Sequence, residues 1–310
     1  MRIIEDVRTT TEDFPGLVLT IGSFDGVHLG HMRIIEELVE SARHRQGTSA
    51  LMTLRPHPRH FFMPDNAPNL LTADDQKSEL LEQAGVDVLF LLPFDADTAN
   101  MSARSFFEDI IVKKCGAKKL IVGHDFTFGH KAAGNYASLE QWAPEFGIEL
   151  HEEPPLVIHG ERVSSTLIRE CILDGEVEHI DQFLGRRYTM RGVVQTGRGI
   201  GRTLGFPTAN LQPQAGVLPA QGVYAAHAIL KGCHIPAAVN IGIAPTIAHD
   251  TVTVEAYLLD FDGQLAGETL GIEFHKRLRP EKKFASKEAL IEGIAHDVSE
   301  VRRYFAKTAH

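Results

Sequence analysis

Residues 17–31 read LVLTIGSFDGVHLGH, and this stretch decides the fold of the first half of the chain. Leu17 to Ile21 are apolar or β-branched, as in a strand buried on both faces. Gly22 and Gly26 then mark a loop, after which Ile34, Ile35, Leu38, Val39 and Ala42 recur at helical spacing. The same rhythm continues downstream. SALMTL (49–54) reads as a strand, DQKSELLEQAG (75–85) as a helix, VDVLFLLPF (86–94) as a strand and SARSFFEDIIVKKCG (102–116) as a helix. KKLIVG (118–123) is a strand, Asn135 to Phe146 a helix and IELHEEP (148–154) the last strand. Strands alternating with helices predict parallel β-α-β units, with ligands beyond the carboxyl ends of the strands.

The rhythm changes after LIRECILDGEVEHIDQFLG (167–185), which reads as two helices. From Tyr188 to Phe274 short strands recur between glycines and prolines: YTMRGVV, GVYAAHAIL, TVTVEAYLL and LGIEF. That pattern predicts a small antiparallel barrel. A closing helix carries Leu290, Ile294, Val298, Val301 and Phe305 on one stripe, with Ser286 as its N-cap. Charge divides the chain at the same place. Residues 1–184 carry 16 Lys+Arg against 30 Asp+Glu, a balance of −14, whereas residues 185–310 carry 15 against 11, a balance of +4. Two domains are therefore expected, 1–184 and 185–310.

Composition narrows the function. The chain has 310 residues, 43% hydrophobic and 23% charged, as in a folded soluble protein. No apolar leader or long apolar run is present, so a cytoplasmic protein without a membrane partner is expected. Cys115, Cys171 and Cys233 are isolated and odd in number, which excludes a disulfide framework and suits a reducing compartment. A net charge of −10 argues against nucleic acid as a partner.

The loop at 22–31 carries chemistry. His28 and His31 stand where the helix begins, beside unpaired N–H groups and the positive dipole end that attract anions. Two imidazoles there can donate to phosphate oxygens whose charge grows in the transition state, and Gly30 allows close approach. Nucleotidyl transfer suits this arrangement, because positioning and electrostatics supply most of its catalysis. Further along, Ser164, Ser165 and Thr166 open a helix, and Arg169 adds a guanidinium fork suited to phosphate. Their plain alternatives are an N-cap serine and a solvated arginine.

GSFDGVHLGH resembles the nucleotide-binding loop of the bacterial bifunctional riboflavin kinase/FAD synthetases. LRPHPRHFF, VGHDFTFGHKAAGN and RVSSTLIRE resemble further segments of that family, in the same order. The resemblance implies a Rossmann-like nucleotidyltransferase domain. In it Gly22, Ser23, Phe24, Gly30, Asp125, Arg162, Ser164, Ser165 and Thr166 bind nucleotide. His28, His31 and Arg169 act in catalysis, and Phe126 and Phe128 border the flavin. Arg55 departs from the family pattern, standing where an acidic residue is usual, as does Leu167, where a basic one is common.

In the barrel half, GRGIGRTLGFPTANL (197–211) packs four glycines ahead of Pro207. It lacks the spacing of a dinucleotide fingerprint and the Lys-Ser/Thr of a Walker loop. GFPTAN, TVEAYLLDF and LRPEKKF instead resemble the riboflavin kinase domain of the same family. The resemblance implies that Gly199, Arg202, Gly205, Pro207 and Thr208 bind nucleotide and that Thr208 and Asn210 hold Mg²⁺. Asn210 and Glu255 are then catalytic, Glu255 as general base, and Arg279 and Glu281 border the flavin. Ala244 and Ala266 depart from the pattern at positions where larger residues are common.

The expected function is phosphorylation of riboflavin to FMN and adenylylation of FMN to FAD, with ATP as the donor in both. The alternatives are a chain with one competent half, or a flavin- or nucleotide-binding regulatory module. Zinc at His57 and His60 lacks a suitably spaced third ligand, and acyl transfer lacks a G-x-S-x-G motif.

Overall fold

The computed structural model describes residues 1–63, 67, 69–196, 200–245 and 250–308, with backbone alone at a few of these. Contacts divide the chain into two units, Met1–Pro68 with Asp74–Val163, and Asn69–Ala73 with Ser164–His310.

The first unit is built on a six-stranded sheet: β1 (Arg2–Ile4), β2 (Val18–Ile21), β3 (Ser49–Arg55), β4 (Val88–Pro93), β5 (Lys119–Gly123) and β6 (Glu149–Glu153). Its order is β1-β4-β3-β2-β5-β6, with every neighbouring pair parallel. The uninterrupted apolar runs follow from burial on both faces. Alternate residues split between two cores, Leu19, Ile21, Met52 and Phe90 on one side and Val18, Leu51, Leu89 and Ile121 on the other. Helix α1 (Leu29–His44) covers the second face through Ile35 and Leu38.

Two details differ from the expectation. β1 was not foreseen, since three residues carry no period. The segment at Phe106–Lys114 winds as a π-helix, and beyond it Cys115 donates to the Ile110 carbonyl. A short hairpin, β7 (Val157–Ile158) with β8 (Glu161–Arg162), ends the unit.

In the second unit six antiparallel strands close a barrel: β9 (Thr189–Gln195), β10 (Ala209–Ala215), β11 (Gly222–Leu230), β12 (Cys233–Pro245), β13 (Asp250–Leu258) and β14 (Thr269–Pro280). Their order is β10-β13-β12-β11-β14-β9, and β9 pairs with β10 to complete the circle. Two strands lay hidden in the sequence. β10 contains Pro213 beside a register shift, and β12 contains Pro236 and alanines, so neither shows β-branched alternation. Buried Leu211, Val239, Ile241, Val254, Ile272 and Phe274 supply the barrel core. The helix Lys287–Thr308 packs Val298 and Val301 with Ala225, Leu259, Ala238 and Tyr257. Ser286 caps it as expected, its hydroxyl accepting the Ala289 N–H at 3.2 Å.

Candidate active sites

The strand order places the first site. From β2 the sheet steps to β3 on one side and to β5 on the other, so the switch point lies at the carboxyl ends of β2 and β5. The loop carrying Gly22, Ser23 and Phe24 leaves β2 there, and the loop carrying Asp125, Phe126 and Phe128 leaves β5. Phe24 (φ 46°) and Val27 (φ 40°) occupy the left-handed region, which is costly for a β-branched residue. Burial holds them there, since Phe24 and Val27 pack with Ile35, Leu38 and Leu81. The loop is also tethered through the Ser23 carbonyl, which accepts from Lys77 Nζ at 3.1 Å and the Thr53 hydroxyl at 3.4 Å. Burial pushes the Lys77 ammonium below its usual range, with Asp74 and Asp25 opposing. Nothing in DQKSELLEQAG distinguishes Lys77 from its polar neighbours; only folding reveals it.

His28 is the N-cap of α1. Its backbone is extended, and Nδ1 accepts the His31 N–H at 3.2 Å. An accepting Nδ1 leaves the hydrogen of the neutral ring on Nε2. His31 is half-buried and His28 is 6% exposed. Gly30 serves this arrangement directly, because a Cβ at residue 30 would stand 3.2 Å from two atoms of the His28 ring. The glycine makes room for an imidazole in this structure, a reason that the sequence did not suggest.

Asp125 and Arg162 pair with one another, oxygen to nitrogen at 2.5 Å, both well exposed. Phe126 is half-buried and stacks on Phe128 with ring centroids 5.3 Å apart. Phe128 itself belongs to the core beside Phe106 and Trp142. Of the two rings, Phe126 is the one left partly open.

The Ser164 hydroxyl accepts the Leu167 N–H at 3.2 Å and caps the helix Ser165–Asp174. Ser165 and Thr166 open that helix, Thr166 exposed. Arg169 Nε donates to the Asn69 carbonyl at 3.1 Å.

In the barrel, Asn210 on β10 lies directly opposite Glu255 on β13, which lies opposite Asn240 on β12. These three alternate with buried neighbours such as Leu211, Val254 and Val239, so they face the outside of the barrel. Glu255 is half-buried, and that burial raises its carboxyl above the usual range. The Glu281 carboxylate lies against Gly242, and the Asn240 amide nitrogen is 3.2 Å from the point where a Cβ of Gly242 would sit. Asn240 was missed in the sequence; a lone amide inside PAAVNIG was its only signal. Thr208 is half-buried and precedes β10, while Gly205 and Pro207 are exposed. Gly201 is required here, since a Cβ would collide with the Phe206 carbonyl and stand 2.9 Å from Thr208 Oγ1. Arg279 is committed elsewhere. It grips Asp297 with two hydrogen bonds, 2.9 and 2.6 Å. Gly199 lies outside the described residues, and only the backbone of Arg202 and Ala244 is described.

The profile of the FAD synthetase family matches residues 10–167, and that of riboflavin kinase matches residues 184–305. A bifunctional riboflavin kinase/FMN adenylyltransferase of Escherichia coli (strain K12) is 36% identical over 310 residues, 99% of each chain. This chain belongs to the bifunctional riboflavin kinase/FMN adenylyltransferase family. A Bacillus subtilis (strain 168) relative of that name is 34% identical, over 93% of this chain and 92% of its own. The crystal structure of a macrolide-efflux protein from Streptococcus pneumoniae shares the fold with a TM-score of 0.87 and 29% identity, covering 97% of this chain and 98% of that one. Among the described residues no helix is long and apolar enough to cross a membrane. Of the departures from the family pattern, Arg55 pairs with Asp74 at 3.2 Å, Leu167 is half-buried and Ala266 is exposed.

Proposed function

We infer that this transferase makes FAD from riboflavin in two ATP-dependent steps, divided near Leu184. The observation that carries the reading is the match of each half of the chain to its own family, residues 10–167 to FAD synthetase and residues 184–305 to riboflavin kinase. No observation favours a binding module or a single competent half.

In the barrel, the riboflavin 5′-hydroxyl attacks the γ-phosphorus of ATP, the bond to the bridging oxygen of ADP breaks, and FMN and ADP result. Glu255 takes the hydroxyl proton. Its partial burial supports this role, because a carboxylate with a raised pKa is a stronger base. Asn210 and Asn240 flank it and orient the reacting groups. Thr208 and Asn210 offer hard oxygen donors that fit Mg²⁺, and the ion would neutralise triphosphate charge there.

In the α/β half, the FMN phosphate attacks the α-phosphorus of a second ATP, and pyrophosphate leaves. His28 donates from Nε2, and His31 beside it, to the oxygens of the transferring group. Gly22, Ser23, Phe24 and Gly30 shape the cradle. Ser164, Ser165, Thr166 and Arg169 hold the departing pyrophosphate; Asp125 and Arg162 serve the nucleoside and Phe126 the flavin. No covalent intermediate with the enzyme forms. In the kinase half, Arg202, Gly205 and Pro207 line the nucleotide and Glu281 the flavin. The cytoplasm is the compartment we assign, consistent with three cysteines, Cys115, Cys171 and Cys233, isolated and odd in number along the sequence.

The test is direct. Purified protein is incubated with riboflavin, Mg²⁺ and ATP, and the flavins are separated by chromatography. FMN and FAD together support the reading; FMN alone removes the first half from it. No product even from supplied FMN leaves a binding module.

A further inference from the structure

One cluster of metal-ligating side chains lies outside both sites. His227 on β11 and Glu273 on β14 are paired directly across the ladder. One residue further, the register shifts. Phe274 opposes Ala226 and Lys276 opposes Ala225, so His275 is the extra residue of a bulge. Phe274 is buried, and Glu273 and His275 on either side of it point to the same outer face. His275 Nε2 stands 2.9 Å from Glu273 Oε1, and His227 Nδ1 stands 3.5 Å from the same oxygen. His234, diagonal to His227 on β12, brings Nδ1 to 4.0 Å.

We propose that His227, Glu273 and His275 form a binding site for a divalent transition-metal ion of the zinc class, with His234 placed to supply a fourth ligand. The three donor atoms all lie within 4.8 Å of one another, so small side-chain rotations bring them around a single ion. Imidazole nitrogens with one carboxylate select zinc-like ions over Mg²⁺, which prefers oxygen alone. This ion is therefore separate from any that accompanies ATP.

The surroundings suit a built site. The side chains of His227, Glu273 and His275 are 22%, 21% and 14% exposed, shielded without being sealed. Phe305 of the Lys287–Thr308 helix stacks on His227 at 4.2 Å and meets His275 at 5.0 Å, which fixes both rings. The His275 ring hydrogen-bonds the Glu273 carboxylate at 2.9 Å and the His227 ring approaches the same oxygen at 3.5 Å, so the donors already converge. Bound metal would replace these contacts with coordination and tie β11 to β14 beneath the helix.

The experiment uses the full chain, stripped by chelator and dialysed against Zn²⁺, with Co²⁺ as spectroscopic probe. One zinc per chain is expected, with tetrahedral Co²⁺ absorption and a rise in melting temperature on loading. His227→Ala and His275→Ala should each weaken zinc binding by about 100-fold or more, while FMN formation continues. No stoichiometric uptake overturns the proposal, as does uptake that survives both substitutions. Should the variants fail to fold, histidine-ring NMR of the unaltered chain decides. Zinc-induced shifts at His227 and His275 support the site, and unmoved rings refute it.

Discussion

The imidazoles of His28 and His31 lie face to face, ring centroids 3.6 Å apart and planes 13° apart. The two rings do different work. His28 caps the helix through Nδ1, whereas His31 takes no part in that cap with its ring. His31→Ala should therefore fold with near-normal stability, lose about 10²–10³-fold in FAD formation and keep FMN formation. His28→Ala should lose FAD formation as well, with a further stability cost of about 1 kcal/mol. His28→Asn should restore the cap but not the activity. Denaturant melts beside flavin chromatography separate the two effects; a variant His28→Asn with full activity would refute the assignment.

Glu255 ties kinase activity to pH. A base must be ionised, so kcat/KM for FMN formation should fall as pH drops through its raised pKa. FAD formation from supplied FMN should lack that limb.

Stability should respond to the same group with the opposite sense. The folded chain holds the Glu255 proton more tightly than the unfolded chain does. That contribution is complete below pH 4.5 and is lost as pH rises through the folded value. Glu255→Gln should flatten this part of the stability profile and reduce FMN formation at least about 100-fold.

Gly201→Ala places a methyl against the Phe206 carbonyl and Thr208. The loop must open to admit it, so FMN formation should fall by at least about tenfold through loss of positioning. FAD formation from FMN should be unchanged, as assayed on the same preparation.

Arg279 and Asp297 form a clamp that is largely out of water, 20% and 7% exposed at their side chains. Asp297→Ala leaves a shielded guanidinium uncompensated and should cost about 3–5 kcal/mol. Replacing both residues by apolar ones should recover most of it, read by chemical denaturation.

The sequence carried much of this protein in periodicity. Continuous apolar runs and helical stripes need only local chemistry to be recognised, so the parallel sheet, the barrel and the capped last helix were all legible. β10 and β12 were not, because proline and alanine conceal strands that only pairing stabilises. Charge and contacts group residues 164–184 differently. Charge changes after Leu184, but contacts place Ser164 onward with the barrel unit. Charge balance follows composition, whereas contacts follow packing.

His28, His31, Thr208, Asn210 and Glu255 were named from motif and resemblance, since residue type and spacing travel with the chain. Lys77 under Ser23, Asn240 beside Glu255, the Asp297 grip on Arg279 and the His227–Glu273–His275 cluster needed strand register and side-chain packing. Order along the chain determines which residues can cap a helix or line a strand. Which distant residues share a surface depends on how strands align and bulge, and that is settled only when the sheets close.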